Sequence, residues 1–283
     1  MWANSPSMEI ADPAVAGIVI SIYMVLLAAG TLIAIVLLMR SRNREIPWQE
    51  LSASLQARPW SWQDASIVLG CQIGLLATAI LASALLEQPS KTVLLLVETA
   101  LFDGAGLILL YGYLRLTRRS WLAVFGNPSV EPLKQIRLAT LFYLAILPVV
   151  FFSALVSQGI LSLNGYPPSL QEIVLLLSGD NPLWMRFYLV FLATFLAPTM
   201  EECIFRGLVL PLLARRLGTA PAIVTTSVLF AAIHFHMPSF IPLCIMATGF
   251  SLAYLYSRSL WVPIVMHALC NGVNILLLYC LYP

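Results

Sequence analysis

Long apolar segments recur along this chain and constrain its fold more than any other feature. Eight of them run at about 14–39, 65–86, 92–114, 138–162, 184–205, 220–236, 240–256 and 260–281. A helix of roughly 20 apolar residues crosses a bilayer. Backbone groups cannot stay unpaired in hydrocarbon, and the alternating pattern of barrel strands is absent, so these segments are predicted to be helices. The sequence therefore predicts an all-α polytopic membrane protein, a bundle of about eight transmembrane helices.

Composition supports the same class of protein. Hydrophobic residues make up 60% of the chain and charged residues only 10%, whereas soluble proteins carry about 25% charged residues. The basic residues are scattered through short loops, so no nucleic acid is expected as a partner. The cysteines lie inside apolar runs, are odd in number and lack paired spacing, which predicts small buried hydrophobes rather than disulfides. They are Cys71, Cys203, Cys244, Cys270 and Cys280.

The distribution of Lys and Arg predicts the orientation in the membrane. The loops after the first, third, fifth and seventh segments contain all basic residues except Lys91 and Arg186. We therefore expect these loops in the cytoplasm and both termini outside. The expected location is a bacterial plasma membrane. We expect one membrane domain, with helices 1–4 and a surface helix at 169–182 in residues 1–180, and helices 5–8 in residues 181–283.

Ionisable side chains inside the apolar segments indicate where function lies, because a charge in the bilayer is costly and faces a cavity or a partner. All three histidines fall in the last third of the chain, close in sequence to a pair of glutamates. The full set is Glu98, Asp103, Glu201, Glu202, Arg206, His234, His236, His267 and Asn271. Glu98 and Asp103 are five residues apart, so on an α-helix they do not share a face, and we expect buried hydrogen-bonding roles for them. His236 is expected to pack or be hydrated at a helix end.

Spacing separates the roles of the two glutamates. Glu202 and Arg206 are four residues apart on one helix face and are predicted to pair. Glu201 projects about 100° away from Glu202 and is left unpaired for chemistry. Pro198 lacks a backbone donor and is expected to kink the helix before the pair.

The same four-residue interval relates His267 to Asn271 and Phe230 to His234. A carboxylate, two imidazoles and a carboxamide can hydrolyse an amide: Glu201 activates water, one imidazole positions it, and the other imidazole with the amide stabilises the oxyanion. The alternative is a zinc site with Glu201, His234 and His267 as ligands. The HExxH motif that often accompanies such zinc sites is absent.

These three motifs resemble the signature of the CAAX-protease and bacteriocin-processing family of intramembrane proteases, which includes the type II CAAX prenyl endopeptidases. The motifs read "EECIFR" from Glu201 to Arg206, "FAAIH" from Phe230 to His234, and "HALCN" from His267 to Asn271. The resemblance covers roughly residues 190 to 280, and no motif position departs from the family pattern.

The resemblance implies that Glu201 and His234 activate water, that His267 and Asn271 stabilise the oxyanion, and that Glu202 and Arg206 shape the site. It also implies a membrane-associated protein or peptide as substrate, either prenylated or a precursor. Members are described both as metalloproteases and as metal-independent glutamate proteases. Asn271 suits an oxyanion hole, so we favour the reaction without a cofactor, with zinc as the alternative. Two further alternatives are a non-enzymatic scaffold or immunity protein and a proton-coupled transporter, although the inverted repeats of transporters are absent.

Overall fold

The computed structural model describes residues 12–43, 45–85, 91–126, 131–166, 176–177 and 182–281, except for the side chains of Lys91 and Thr92. Within these ranges the chain is helical and has no strand, which confirms the predicted all-α fold. The α-helices are α1 Pro13–Arg42, α2 Trp48–Gln56, α3 Trp62–Ala84, α4 Lys91–Thr99, α5 Gly106–Leu116, α6 Trp121–Phe125, α7 Pro132–Leu163, α8 Leu183–Phe191, α9 Ala197–Glu202, α10 Leu210–Leu217, α11 Thr219–Ala232, α12 Phe240–Ser257 and α13 Trp261–Leu281. The predicted surface helix at 169–182 falls outside the described residues, apart from residues 176, 177 and 182.

Seven helices in the described part of the chain are long and apolar enough to cross a membrane. Their bounds are Pro13–Arg42, Trp62–Ala84, Val93–Leu116, Pro132–Leu163, Leu183–Leu217, Met237–Ser257 and Trp261–Leu281. The predicted segment at 220–236 is instead the 14-residue helix α11. At 1.5 Å per residue this helix is about 21 Å long, shorter than the roughly 30 Å of a hydrocarbon core. The prediction of eight full spans was therefore wrong for this one helix.

The basic loops meet on one face of the bundle. Trp60 lies at their centre: its carbonyl oxygen accepts a hydrogen bond from Arg215, and the Arg119 guanidinium lies 5.8 Å from its ring centroid. Arg58 Nη2 donates to the Arg258 carbonyl oxygen at 3.0 Å. The chain leaves this face after α10 and returns to it at the end of α12. The helix α11 and the residues up to α12 therefore run towards the opposite face.

The N-terminal and C-terminal helices share one hydrophobic core. Below the basic loops, Trp60 and Phe125 pack among residues of α2, α5, α10 and α12. Deeper in the bundle, Tyr143 of α7 belongs to the same buried cluster as Phe230 of α11 and Met266 of α13. Helices from both parts of the chain therefore contribute to the same buried clusters.

Within the described residues, three π-helical segments interrupt the long helices that carry the charged side chains. They are Ala100–Ala105, Leu192–Leu196 and Cys203–Val209. A π-turn bonds residue i to residue i+5, so it changes which side chains share a face, and such turns are frequent at functional sites. The third segment begins directly after Glu202 and includes Arg206.

Gly207 allows this third segment to approach the aromatic core. A Cβ atom at Gly207 would overlap the ring of Phe125, and this ring is fully buried with its centroid 4.4 Å from that of Trp121. We expect Gly207→Ala to cost about 1–3 kcal/mol by overpacking and to lower the melting temperature of the purified protein. Gly74→Ala is the matched control, because a Cβ there meets nothing within 4 Å. Equal melting temperatures for the two variants would contradict this account.

Candidate active site

A buried ion pair anchors the site. Arg206 Nη1 lies 2.8 Å from Glu202 Oε1, and neither side chain is exposed. The second terminal nitrogen of Arg206 donates to the Ala247 carbonyl oxygen at 2.9 Å. The guanidinium carbon also lies 4.7 Å from the Phe230 ring centroid and 5.0 Å from that of Phe250. Arg206 therefore has a fixed position, and the predicted pairing with Glu202 is observed.

Glu202 has a second partner that the sequence analysis missed. Its Oε1 atom lies 3.0 Å from His267 Nδ1, so the shared proton belongs on Nδ1, because a carboxylate only accepts. The opposite ring atom, Nε2, then points towards Glu201, with 3.8 Å between Nε2 and Glu201 Oε2. Stacking of the His267 ring on Phe250, at a centroid distance of 4.7 Å, holds this orientation.

His234 is oriented by the backbone of its own helix. Its Nδ1 atom lies 2.8 Å from the Phe230 carbonyl oxygen, which can only accept, so Nδ1 carries the proton. In the neutral ring Nε2 is then an acceptor. The Phe230 ring packs against the imidazole at a centroid distance of 4.8 Å. His234 can therefore accept a hydrogen bond from a water molecule in the space that it lines.

The Asn271 side chain satisfies a backbone carbonyl group of the neighbouring π-helical segment. Its Nδ2 atom donates to the Ala193 carbonyl oxygen at 2.7 Å. In the π-helical register this carbonyl would accept from the nitrogen of residue 198, which is Pro198 and has no N–H. Asn271 supplies the missing donor with one of its two amide hydrogens. The second hydrogen remains available for another acceptor.

One cavity of about 990 Å³ brings Glu201, His234, His267 and Asn271 together. The Glu201 side chain is 21% exposed, and its Oε2 atom has no hydrogen-bond partner among the described residues. Glu202 is fully buried against Arg206 and does not line the cavity. The structure thus separates the two glutamates as their spacing predicts, one neutralised and one facing the cavity.

Glu98 and Asp103 were expected on different helix faces, but both line this same cavity. The reason is the π-helical segment Ala100–Ala105, because five residues come closer to one full turn in a π-helix than in an α-helix. The expected hydrogen-bonding role is also not observed. Neither carboxylate forms a side-chain hydrogen bond or an ion pair within the part of the chain that the structure describes.

His236 lies just beyond the end of α11 and also lines the cavity. Its Nδ1 atom lies 2.8 Å from the Ser239 hydroxyl oxygen. This bond agrees with the helix-end position expected for His236.

Two histidines and a glutamate are chemically suited to zinc, but these side chains do not converge on one metal position. No group of three His, Cys, Asp or Glu side chains within the described ranges is arranged to hold a metal. Glu202 holds Nδ1 of His267 and the Phe230 carbonyl holds Nδ1 of His234, which leaves Nε2 of each ring free. The zinc alternative for Glu201, His234 and His267 would require these side chains to come closer together than they are here.

The comparison with protein families identifies the region that holds the site. Residues 182–273 match the family model described as "Type II CAAX prenyl endopeptidase Rce1-like". This match confirms the resemblance that the three motifs suggested. The chain matches no curated protein and no solved structure.

Replacing Arg206 by Lys tests whether its geometry matters beyond its charge. Lysine keeps the positive charge but has no planar fork to reach both Glu202 and Ala247, and it stacks less well on aromatic rings. We expect Arg206→Lys to lower the free energy of unfolding by about 1–3 kcal/mol, the cost of leaving a buried acceptor without its donor, and read this loss as a lower melting temperature. Arg40→Lys is the control, since this residue forms an exposed pair with Glu45 worth about 0–1 kcal/mol. Similar melting temperatures for both variants would show that charge alone suffices.

Proposed function

We propose that this Rce1-like integral membrane protein is an intramembrane endopeptidase in which Glu201 activates the attacking water. The matched family is a protease family, so peptidase activity is indicated at the family level. The observation that carries the finer proposal is the cavity shared by Glu201, His234, His267 and Asn271. A carboxylate with an unpaired oxygen faces this cavity, while its neutralised neighbour stays outside.

Activation of water uses two acceptors. A water molecule between Glu201 and His234 donates one hydrogen bond to the carboxylate and one to Nε2 of the imidazole. Glu201 takes a proton as the water oxygen attacks the carbonyl carbon of the peptide bond. The protonated Glu201 then gives this proton to the departing amine, which breaks the carbon–nitrogen bond and restores the carboxylate.

Stabilisation of the oxyanion falls to His267 and Asn271. Because Nδ1 of His267 donates to Glu202, its Nε2 atom can donate only when the ring carries both protons. The second amide hydrogen of Asn271 is the other donor to the oxyanion.

The reaction is proposed to need no metal ion. No three His, Cys, Asp or Glu side chains among the described residues are arranged to hold a metal, whereas each histidine can form a hydrogen bond through its free Nε2 atom. The substrate is proposed to be a membrane-associated protein or peptide, prenylated or a precursor, and the location a bacterial plasma membrane.

A comparison of protein termini tests the proposed activity. Membranes from cells that produce the wild type and Glu201→Gln are compared by mass spectrometry of new termini. We expect a set of termini that depends on Glu201, while both proteins melt at nearly the same temperature, because Glu201 forms no hydrogen-bonded ion pair and its charged neighbour, His267 Nε2, lies 3.8 Å away. Glu202→Gln should instead lower the melting temperature, since Arg206 loses its charged partner. Identical termini from wild type and Glu201→Gln would argue against a protease.

Chelation and Asn271→Ala together separate the two mechanisms. The assay uses a peptide that spans a cleavage site found in the terminus comparison. We expect the rate to survive prolonged chelation and to fall about 10²–10³-fold in Asn271→Ala, as for removal of one oxyanion donor. The melting temperature of Asn271→Ala must be measured alongside, because Ala193 also loses its donor. Loss of activity on chelation with recovery on adding zinc, and a nearly silent Asn271→Ala, would indicate a metalloprotease.

Labelling of single cysteines tests the proposed orientation. Thr117 follows α5 on the face of the basic loops, and Asn164 caps α7 at its other end. We expect a cysteine at 117 to react only from the cytoplasmic side and one at 164 only from outside, with the unsubstituted chain as the measure of background labelling. Reaction of both positions from the same side would disprove the topology.

A further inference from the structure

The active-site cavity carries an excess of negative charge. Glu98, Asp103 and Glu201 all line it, and no Lys or Arg does so among the described residues. Asp103 lies close enough to Glu98 and Glu201 for their charges to act on it. Three carboxylates around one apolar space repel one another unless a proton or a cation neutralises part of their charge.

Asp103 is a buried carboxylate of this cavity without a partner among the described residues. It is only 5% exposed, it lines the cavity, and it makes no side-chain hydrogen bond or ion pair within the described ranges. A buried carboxylate without a partner is costly. Its position is explained if a group that is bound in the cavity supplies the missing donor and the positive charge.

We propose that this cavity binds a Lys or Arg side chain of the substrate beside the scissile bond, with Asp103 and Glu98 as the specificity-determining residues. The apolar lining, which includes Leu95, Phe102 and Ile275, suits the alkyl stem of such a side chain, while its cationic head reaches the carboxylates. A negatively charged residue or a terminal carboxylate at the same place is disfavoured by repulsion. This inference rests on the proposed function.

The first experiment measures cleavage by the full chain in lipid nanodiscs. The probes are synthetic apolar peptides in which one residue at a time is Lys, norleucine or Glu, and mass spectrometry locates the cut. We expect kcat/KM to be at least about tenfold higher for Lys than for norleucine near the cut, with Glu the poorest. Asp103→Asn should bring the Lys-to-norleucine ratio towards one. Glu50→Gln, which removes an exposed carboxylate outside the cavity, should keep the wild-type ratio.

A second experiment measures binding without cleavage. The probes are Nα-octanoyl-lysinamide and its norleucine analogue, and the readout is the melting temperature of the nanodisc-embedded protein, because a ligand of the folded state raises it. We expect the lysine probe to give the larger rise in the wild type, and this difference to vanish in Asp103→Asn.

The two experiments separate failure of the inference from failure of the proposed function. Cleavage without charge preference, or a preference that survives both Asp103→Asn and Glu98→Gln, overturns the inference and leaves the protease intact. Absence of all cleavage, combined with lysine binding that depends on Asp103, overturns the protease and keeps the cation site. Equal effects of the two amides on the melting temperature overturn the cation site in either case.

Discussion

The carboxylate of Glu202 is the point on which the rest of the site depends. Through Arg206 it is tied to the Ala247 carbonyl of α12 and to the ring of Phe230 on α11, and directly it holds His267 on α13. One fully buried ion pair thus fixes the relative positions of four helices. Taking two charges out of water is expensive, so such a pair contributes more to a defined geometry than to net stability. In this chain the geometry so fixed is that of the cavity in which Glu201 and His234 lie.

Residue spacing within single helices predicted which side chains share a helix face. It could not predict the contacts between side chains of different helices. The intervals of Glu202 to Arg206 and His267 to Asn271 needed only the period of an α-helix, and the motif resemblance assigned roles to the same residues. The bond between Glu202 and His267 joins residues 65 positions apart, for which no local pattern exists. The π-helical segments were also missed, because apolar residues such as those of Leu192–Leu196 satisfy an α-turn and a π-turn equally well.

The hydropathy pattern overestimated the length of one helix, α11, because it does not register where the backbone stops being helical. A window of apolar residues counts Ile233 and Phe235 in the same way as helical residues, yet α11 ends at Ala232 and Phe235 has a φ of 47°. Irregular backbone at membrane depth is tolerated where it lines a cavity. The residues that shorten this helix are those that carry His234 and His236 into the cavity, so the missing turn of helix and the candidate site have a common origin.

The π-helical segment Leu192–Leu196 also determines where this part of the chain can change its length. An apolar membrane span accepts many exchanges among Leu, Ile, Val and Phe, because lipid does not distinguish their shapes. Removal of one residue from the π-helical segment would leave the helix faces before and after it nearly aligned, since five residues of a π-helix and four of an α-helix each make about one full turn. Removal of one residue from α8 would instead rotate the residues before the deletion by about 100° relative to Glu201. Natural variation in the number of residues between Leu183 and Glu201 should therefore be confined to the π-helical segment.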